Sequence, residues 1–368
     1  MEAPRPHIPV ANLYHLLSYA WDFDLFGDPA EVRRDDHPGY TELLTHLLVR
    51  GCVHLLKRGL HRDYREETEE VRGIRGKLEL AQSLATGGLE AGRAVCTRDE
   101  FSADGVENRI LKSVLLRSAG LRGMDPKLAR EARSTAVRMT EVSSVPADLH
   151  LFHRVRIHRT NRHYGFLLNI CRLLLESAAV HEADDSVEAA NLRMQSVLDE
   201  RLPKLFETFV RNFYRAHLPA RGWSRFQPQH IEWVWEAETE GSAAYLPRME
   251  TDITLEHPDR KLIIDTKYYR SGGINDRSTF ESANLYQLHA YVSQLARRAA
   301  TGPPRSTAHP HDGAAEGLLL YATVADRDYL HRFSMPPHRM SVATVNLTHP
   351  WRAIESRLLD VVEGSGLK

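Results

Sequence analysis

The chain has 368 residues, enough for two domains of ordinary size, and its 42% apolar content is that of a globular protein rather than a disordered one. A formal net charge of −1 argues against a protein that coats DNA by bulk electrostatics, though a local patch remains compatible with it. No apolar run approaches the roughly 20 residues of a membrane helix, so no membrane partner is expected. The opening MEAPRPHIPVANLYHLLSYAWDF is broken by prolines and lacks a signal-peptide core. Cys52, Cys96 and Cys171 are far apart and odd in number, which indicates neither a disulfide framework nor a zinc site. A reducing cytoplasm is the simplest location.

Residues 8–23 carry Leu13, Leu16, Leu17, Ala20 and Trp21 at helical spacing, and 41–60 read as a second helix with Thr41 as N-cap. HRDYREETEEV and GIRGKLEL, after it, are short alternating runs that suggest strands. Helices are expected over 107–121 and 164–179. The acidic, aperiodic segment 181–192 is taken as the domain boundary. Beyond it, 201–218 reads as an amphipathic helix with Pro203 in its first turn. METDITL (249–255) and KLIIDTKYY (261–269) read as strands joined by the turn HPDR. A helix over 282–299 follows, then a Gly/Pro/His-rich loop whose HPHD (309–312) reads as flexible linker. Strands at 318–324 and 341–347 precede a last helix. The expected architecture is α/β, with helices packed on a mixed sheet in the C-terminal half.

Asp265 and Lys267 are two apart in a predicted strand, so both side chains share one face, while Ile264 and Thr266 point the other way. Asp252 ends the preceding strand, and a tight connection brings the two strands side by side. Two carboxylates about 4 Å apart repel by roughly 4 kcal/mol at an effective dielectric near 20. A divalent cation offsets that, and hard oxygen ligands favour Mg²⁺, with Mn²⁺ able to substitute. Such a metal polarises a phosphoryl oxygen and lowers the pKa of a bound water, and Lys267 can orient that water or stabilise charge on the phosphate. The carbonyl of Thr266 is a candidate further ligand. Glu250 shares the face of Asp252 and is an alternative first acid, and an exposed same-face pair is the alternative for Asp265 and Lys267.

This arrangement resembles the PD-(D/E)xK nuclease signature, with Asp252 as first acid and Asp265-Thr266-Lys267 as DxK; Thr251 stands where the motif's name has proline. Gln287 and Tyr291, i and i+4 on one helix, resemble the QxxxY pair of the RecB-type branch, which sits near the catalytic site and the DNA. Glu207 matches the acid that related nucleases carry on the preceding helix and can bring to the metal.

A further resemblance runs in order from about residue 8 to 365. Ile8-Pro9-Val10-Ala11-Asn12-Leu13-Tyr14, Gly73-Ile74-Arg75-Gly76-Lys77-Leu78, Glu107-Asn108-Arg109-Ile110-Leu111-Lys112, Leu246–Thr254 and Asn284-Leu285-Tyr286-Gln287-Leu288 are similar to segments of the McrC family. The resemblance implies the nuclease subunit of a restriction system directed at 5-methylcytosine. It cuts double-stranded DNA while an McrB-like AAA+ GTPase hexamer reads the base and hydrolyses GTP. No GxxxxGK[ST] phosphate loop occurs here, so GTP is expected only through the partner. Arg75, with Gly76, on the glycine turn is the candidate contact with that ring; the alternative is a solvated arginine on a plain turn. The basic run His153–His163 reads either as a phosphate-tracking patch or as a charged exposed face.

The expected organisation is a partner-binding mixed α/β domain over 1–185 and a restriction-endonuclease-like domain over 186–368. A stand-alone RecB-like nuclease in defence or repair is the alternative. A non-catalytic activator of a GTPase has no need of Asp252, Asp265 and Lys267.

Overall fold

A computed structural model describes residues 7–21, 39–159, 161, 163–178, 185–234, 239–269, 279–301, 309–325 and 328–364. The chain forms two compact units, His37–Val197 and Met1–Asp36 with Leu198–Lys368. A single cut near 185 therefore misplaces the first helix, α1 (Val10–Ala20), which belongs with the C-terminal residues. The reason is a set of contacts across more than 300 residues of sequence. The Asn12 side chain donates to the carbonyls of Leu347 (2.7 Å) and His349 (2.8 Å), and His15 stacks on Trp351 with centroids 4.2 Å apart.

In the first unit, α2 (Tyr40–Arg58) is followed by β1 (Asp63–Arg72), β2 (Lys77–Leu78), α3 (Leu80–Ala85) and β3 (Arg93–Ser102). The three strands form an antiparallel sheet in the order β1-β3-β2. α4 (Val106–Ser118), α5 (Pro126–Arg138) and α6 (Tyr164–Ala178) pack with α2 around Leu44, Leu48, Cys52, Leu111, Leu167 and Cys171. The helix α5 starts by ordinary chemistry: Asp125 accepts the Leu128 amide at 2.8 Å, and Pro126 occupies the first turn. Buried Asn108 ties the unit together, donating to the carbonyls of His61 and Ala103 and accepting from the Tyr164 hydroxyl. Its neighbour Arg109 forks onto Asp104, which also accepts from Ser143.

α7 (Val187–His217) is one 31-residue helix. It runs through the segment expected to be a boundary and through the division at residue 198. Pro203 consequently lies in its interior rather than in a first turn; it removes one amide donor from the helical ladder.

The second unit continues with β4 (Ser224–Gln227), β5 (His230–Ile231), β6 (Met249–Glu250), β7 (Ile253–His257) and β8 (Arg260–Tyr268). Then come α8 (Ser282–Thr301), β9 (Glu316–Thr323), β10 (Leu330–Met335), β11 (His338–Asn346) and α9 (Trp351–Glu363). Six strands form one mixed sheet in the order β10-β11-β9-β8-β7-β4, with β5 and β6 paired separately. The β8–β9 and β9–β11 pairs are parallel and the others antiparallel. A parallel β8–β9 pair needs a long crossover, and α8 is that crossover. Leu288, Val292 and Leu295 of α8 join Ile263, Leu319, Tyr321 and Val342 of the sheet in a buried core. The face of β8 that carries Ile263 is, by the period of 2, the face of Asp265 and Lys267.

HPHD is not linker. Asp312 holds the buried Lys261 ammonium at 2.5 Å and accepts the His309 amide, so the segment is pinned to β8.

Candidate active site

Register explains how the site is made. β7 begins at Ile253, paired with Ile264 of β8, so β8 runs on past it through Asp265, Thr266 and Lys267 with its β7 edge open. On the other side Asp265 is opposite Leu319 and Lys267 opposite Tyr321. Asp252 stands at the open edge just before β7. Its Oδ2 accepts from the Thr266 amide at 2.7 Å and from Thr266 Oγ1 at 2.8 Å, in the place a strand neighbour would otherwise take. A strand residue sends its N–H and C=O to the same side, so the Thr266 carbonyl faces this edge too.

The residue before Asp252 explains the missing proline. The amide of Thr251 donates to the Gln229 carbonyl at 3.0 Å, a bond proline cannot make. Its buried hydroxyl accepts from the Gln229 amide and meets the Thr254 hydroxyl. Glu250, by contrast, lies exposed in the β5–β6 pair.

Asp265 is fully buried, and neither carboxylate oxygen has an aligned hydrogen bond. Lys267 Nζ lies 2.8 Å from Oδ2 as an ion pair, off the hydrogen-bonding direction. Burial first and Asp252 second push the Asp265 carboxyl up to about 6, against the pull of Lys267. Burial opposes the charge on Lys267, but Asp265 and Asp252 more than offset it, and its pKa is raised. Lys267 is therefore an ammonium at neutral pH. A buried carboxylate with unfilled lone pairs beside a second carboxylate is a site short of positive charge, which fits a hard divalent cation.

Glu207 is near enough to raise Asp265, but its carboxylate is held by Lys204 at 2.6 Å and Arg211 at 3.3 Å. Among the described residues, no three His, Cys, Asp or Glu side chains gather as a metal site. Asp252, Asp265 and the Thr266 carbonyl are the oxygens that would be offered to a hard cation at this edge. Exposed Gln287 donates to the buried Tyr291 hydroxyl at 2.7 Å. Burial raises the Tyr291 pKa, and Asp265 and Asp252 add to it, which puts this pair beside the carboxylates.

Sequence reasoning missed Asn284. It lies on the same α8 face, three residues before Gln287, and donates to the Tyr321 hydroxyl at 3.0 Å, beside Lys267. Its spacing from Gln287 and Tyr291 was the available signal. The Thr266 hydroxyl was also missed, and no signal pointed to it, because alternation sends that side chain away from the acids.

In the first unit, Gly73 (φ 79°) and Gly76 (φ 87°) adopt the left-handed backbone expected of the turn, and a Cβ on Gly76 would lie 2.5 Å from the Thr97 carbonyl oxygen. Arg75 is exposed between them. The basic run is exposed over His153, Arg154 and Arg156–Arg159; positions 160 and 162 lie outside the described residues. Arg154 and Arg156 line a cavity of about 210 Å³ with Arg109, but Asp63, Asp104 and Glu107 line it too, so these six charges cancel. No helix among the described residues is long and apolar enough to cross a membrane.

A family model described as the McrBC 5-methylcytosine restriction system component matches residues 9–301. The Escherichia coli (strain K12) protein described as the type IV methyl-directed restriction enzyme EcoKMcrBC is 28% identical over 361 residues, covering 98% of both chains. A chain of the solved Thermococcus gammatolerans assembly of McrB AAA+ hexamers with bound McrC superposes with a TM-score of 0.53 at 15% identity. That match covers 97% of this chain and 76% of the other.

Proposed function

This chain belongs to the McrBC 5-methylcytosine restriction system component family, and from that we propose that it is the system's nuclease subunit. It is a Mg²⁺-dependent endodeoxyribonuclease of PD-(D/E)xK type that cuts double-stranded DNA in the cytoplasm. The observation that carries this reading is Asp265, a buried carboxylate with no aligned hydrogen bond, between Asp252 and Lys267.

Asp252, Asp265 and the Thr266 carbonyl hold the cation, which when bound supplies Lewis acidity to the phosphate and to a water. Lys267, as an ammonium, cannot accept a proton; it stabilises charge developing on the phosphate oxygens. The exposed Gln287 amide, braced on Tyr291, meets the DNA beside the site.

The partner is an McrB-like AAA+ GTPase hexamer. Support comes from the Thermococcus assembly of McrB AAA+ hexamers with bound McrC. GTP enters through that partner, because this sequence carries no GxxxxGK[ST] phosphate loop. The unit His37–Val197, with the Gly73–Gly76 turn, makes the contact and stimulates the GTPase.

The test is cleavage of methylated DNA by the chain with its AAA+ partner and GTP. Cutting requires Mg²⁺ or Mn²⁺ and stops on chelation. Robust cutting in excess EDTA overturns the mechanism, and equal cutting without the partner returns the stand-alone nuclease.

A further inference from the structure

The hydroxyl of Thr266 does something that the metal-binding reading of its carbonyl leaves unused. Asp252 Oδ2 takes two hydrogen bonds from this one residue, the amide at 2.7 Å and Oγ1 at 2.8 Å. Oδ2 accordingly has little capacity left, and Oδ1 of the partly buried Asp252 is the oxygen that would remain available to a cation. The amide alone fixes one contact and leaves the carboxylate free to pivot about it. The hydroxyl adds a second anchor, on a side chain that is itself buried and β-branched, hence stiff at χ1. The Thr251 amide and hydroxyl, bonded to the Gln229 carbonyl and amide, hold the backbone just before the acid.

We propose that Thr266 Oγ1 is a positioning group that sets Asp252 as a one-oxygen ligand, making the middle residue of the DxK triplet a determinant of cation affinity. The inference rests on the nuclease reading and deepens it. Groups that orient metal ligands are commonly worth 10–100-fold in affinity, and a partly solvated carboxylate falls at the low end of that range.

The experiment is Mn²⁺ binding by calorimetry to the full chain, in the absence of DNA and of turnover. The panel is wild type, Thr266→Val, Thr266→Ser and Asp265→Ala. Val keeps the shape, the branching and the backbone amide and loses only the hydroxyl donor. Thr266→Val is expected to bind Mn²⁺ about tenfold more weakly at an unchanged melting temperature, and Thr266→Ser to recover most of the loss. If Asp265→Ala loses binding while Thr266→Val retains wild-type affinity, this proposal falls and the metal site stands. A drop that Ser does not recover, or one matched by a lower melting temperature, assigns Thr266 to packing and also overturns it. Wild type that binds no better than Asp265→Ala removes the metal site and the proposal together.

Discussion

Asp265→Asn separates a carboxylate placed for a cation from one placed for the fold. Without metal, the ionised side chain works against folding, because burial and Asp252 raise its pKa from 3.8 to about 6. That displacement corresponds to about 3 kcal/mol. An acid whose folded-state pKa exceeds its unfolded value weakens the fold only where it is ionised. The penalty is therefore absent below about pH 4, grows up to about pH 6 and is complete at neutral pH. An amide does not titrate. In EDTA, the stability of Asp265→Asn relative to wild type should rise by about 2.4 kcal/mol between pH 4 and 7.5, whatever constant offset the amide brings. For a unit of this size that is about 5–10 °C in melting temperature. Mg²⁺ at a hundredfold excess over its dissociation constant should restore about 2.7 kcal/mol to wild type and nothing to the variant. Thermal unfolding followed by circular dichroism from pH 4 to 8, with and without Mg²⁺, gives both numbers. Parallel pH curves for the two proteins, both insensitive to Mg²⁺, would show that Asp265 is placed for the fold and not for a cation.

Asp104 carries the opposite sign. Burial alone raises its carboxyl, but the Arg109 fork and the Ser143 bonds hold it well below the usual carboxylate range. Its stabilisation is fully present above about pH 4 and lost progressively below it, as pH falls toward the depressed folded-state pKa, and Arg109→Ala should cost about 2–3 kcal/mol at pH 7 by denaturant titration. Arg75→Ala should weaken stimulation of the partner's GTPase, read by phosphate release, while Mn²⁺ binding stays at the wild-type level. Asn284→Ala strands the buried Tyr321 hydroxyl and should lower stability by roughly 1–3 kcal/mol in the same thermal assay.

Alternation made the core of the site legible. Asp265 and Lys267 share a face because strands repeat every two residues, and the HPDR turn set Asp252 beside them. The contact between Asp252 and the Thr266 amide was not legible, because it depends on where β7 stops relative to β8. The helix α5 was overlooked although Asp125-Pro126 marks its start. β3 and β10 had weaker signals: RAVCTRDEFS mixes apolar and charged residues without alternation, and LHRFSM is a largely exposed edge strand. The placement of α1 rests on Asn12 reaching Leu347, a separation no local pattern encodes. The acidic segment 181–192 mimicked a boundary by its composition, whereas its described part leads into α7.

On the proposed function, Asp265 and Lys267 are the groups on which DNA cleavage depends. The most direct measurement is single-turnover cleavage of methylated duplex by wild type, Asp265→Ala and Lys267→Ala, each with the AAA+ partner, GTP and Mg²⁺, and with GTP hydrolysis followed in the same tubes. Both variants are expected to stimulate GTP hydrolysis as wild type does and to leave the duplex intact. Cleavage by Asp265→Ala at the wild-type rate would contradict this assignment.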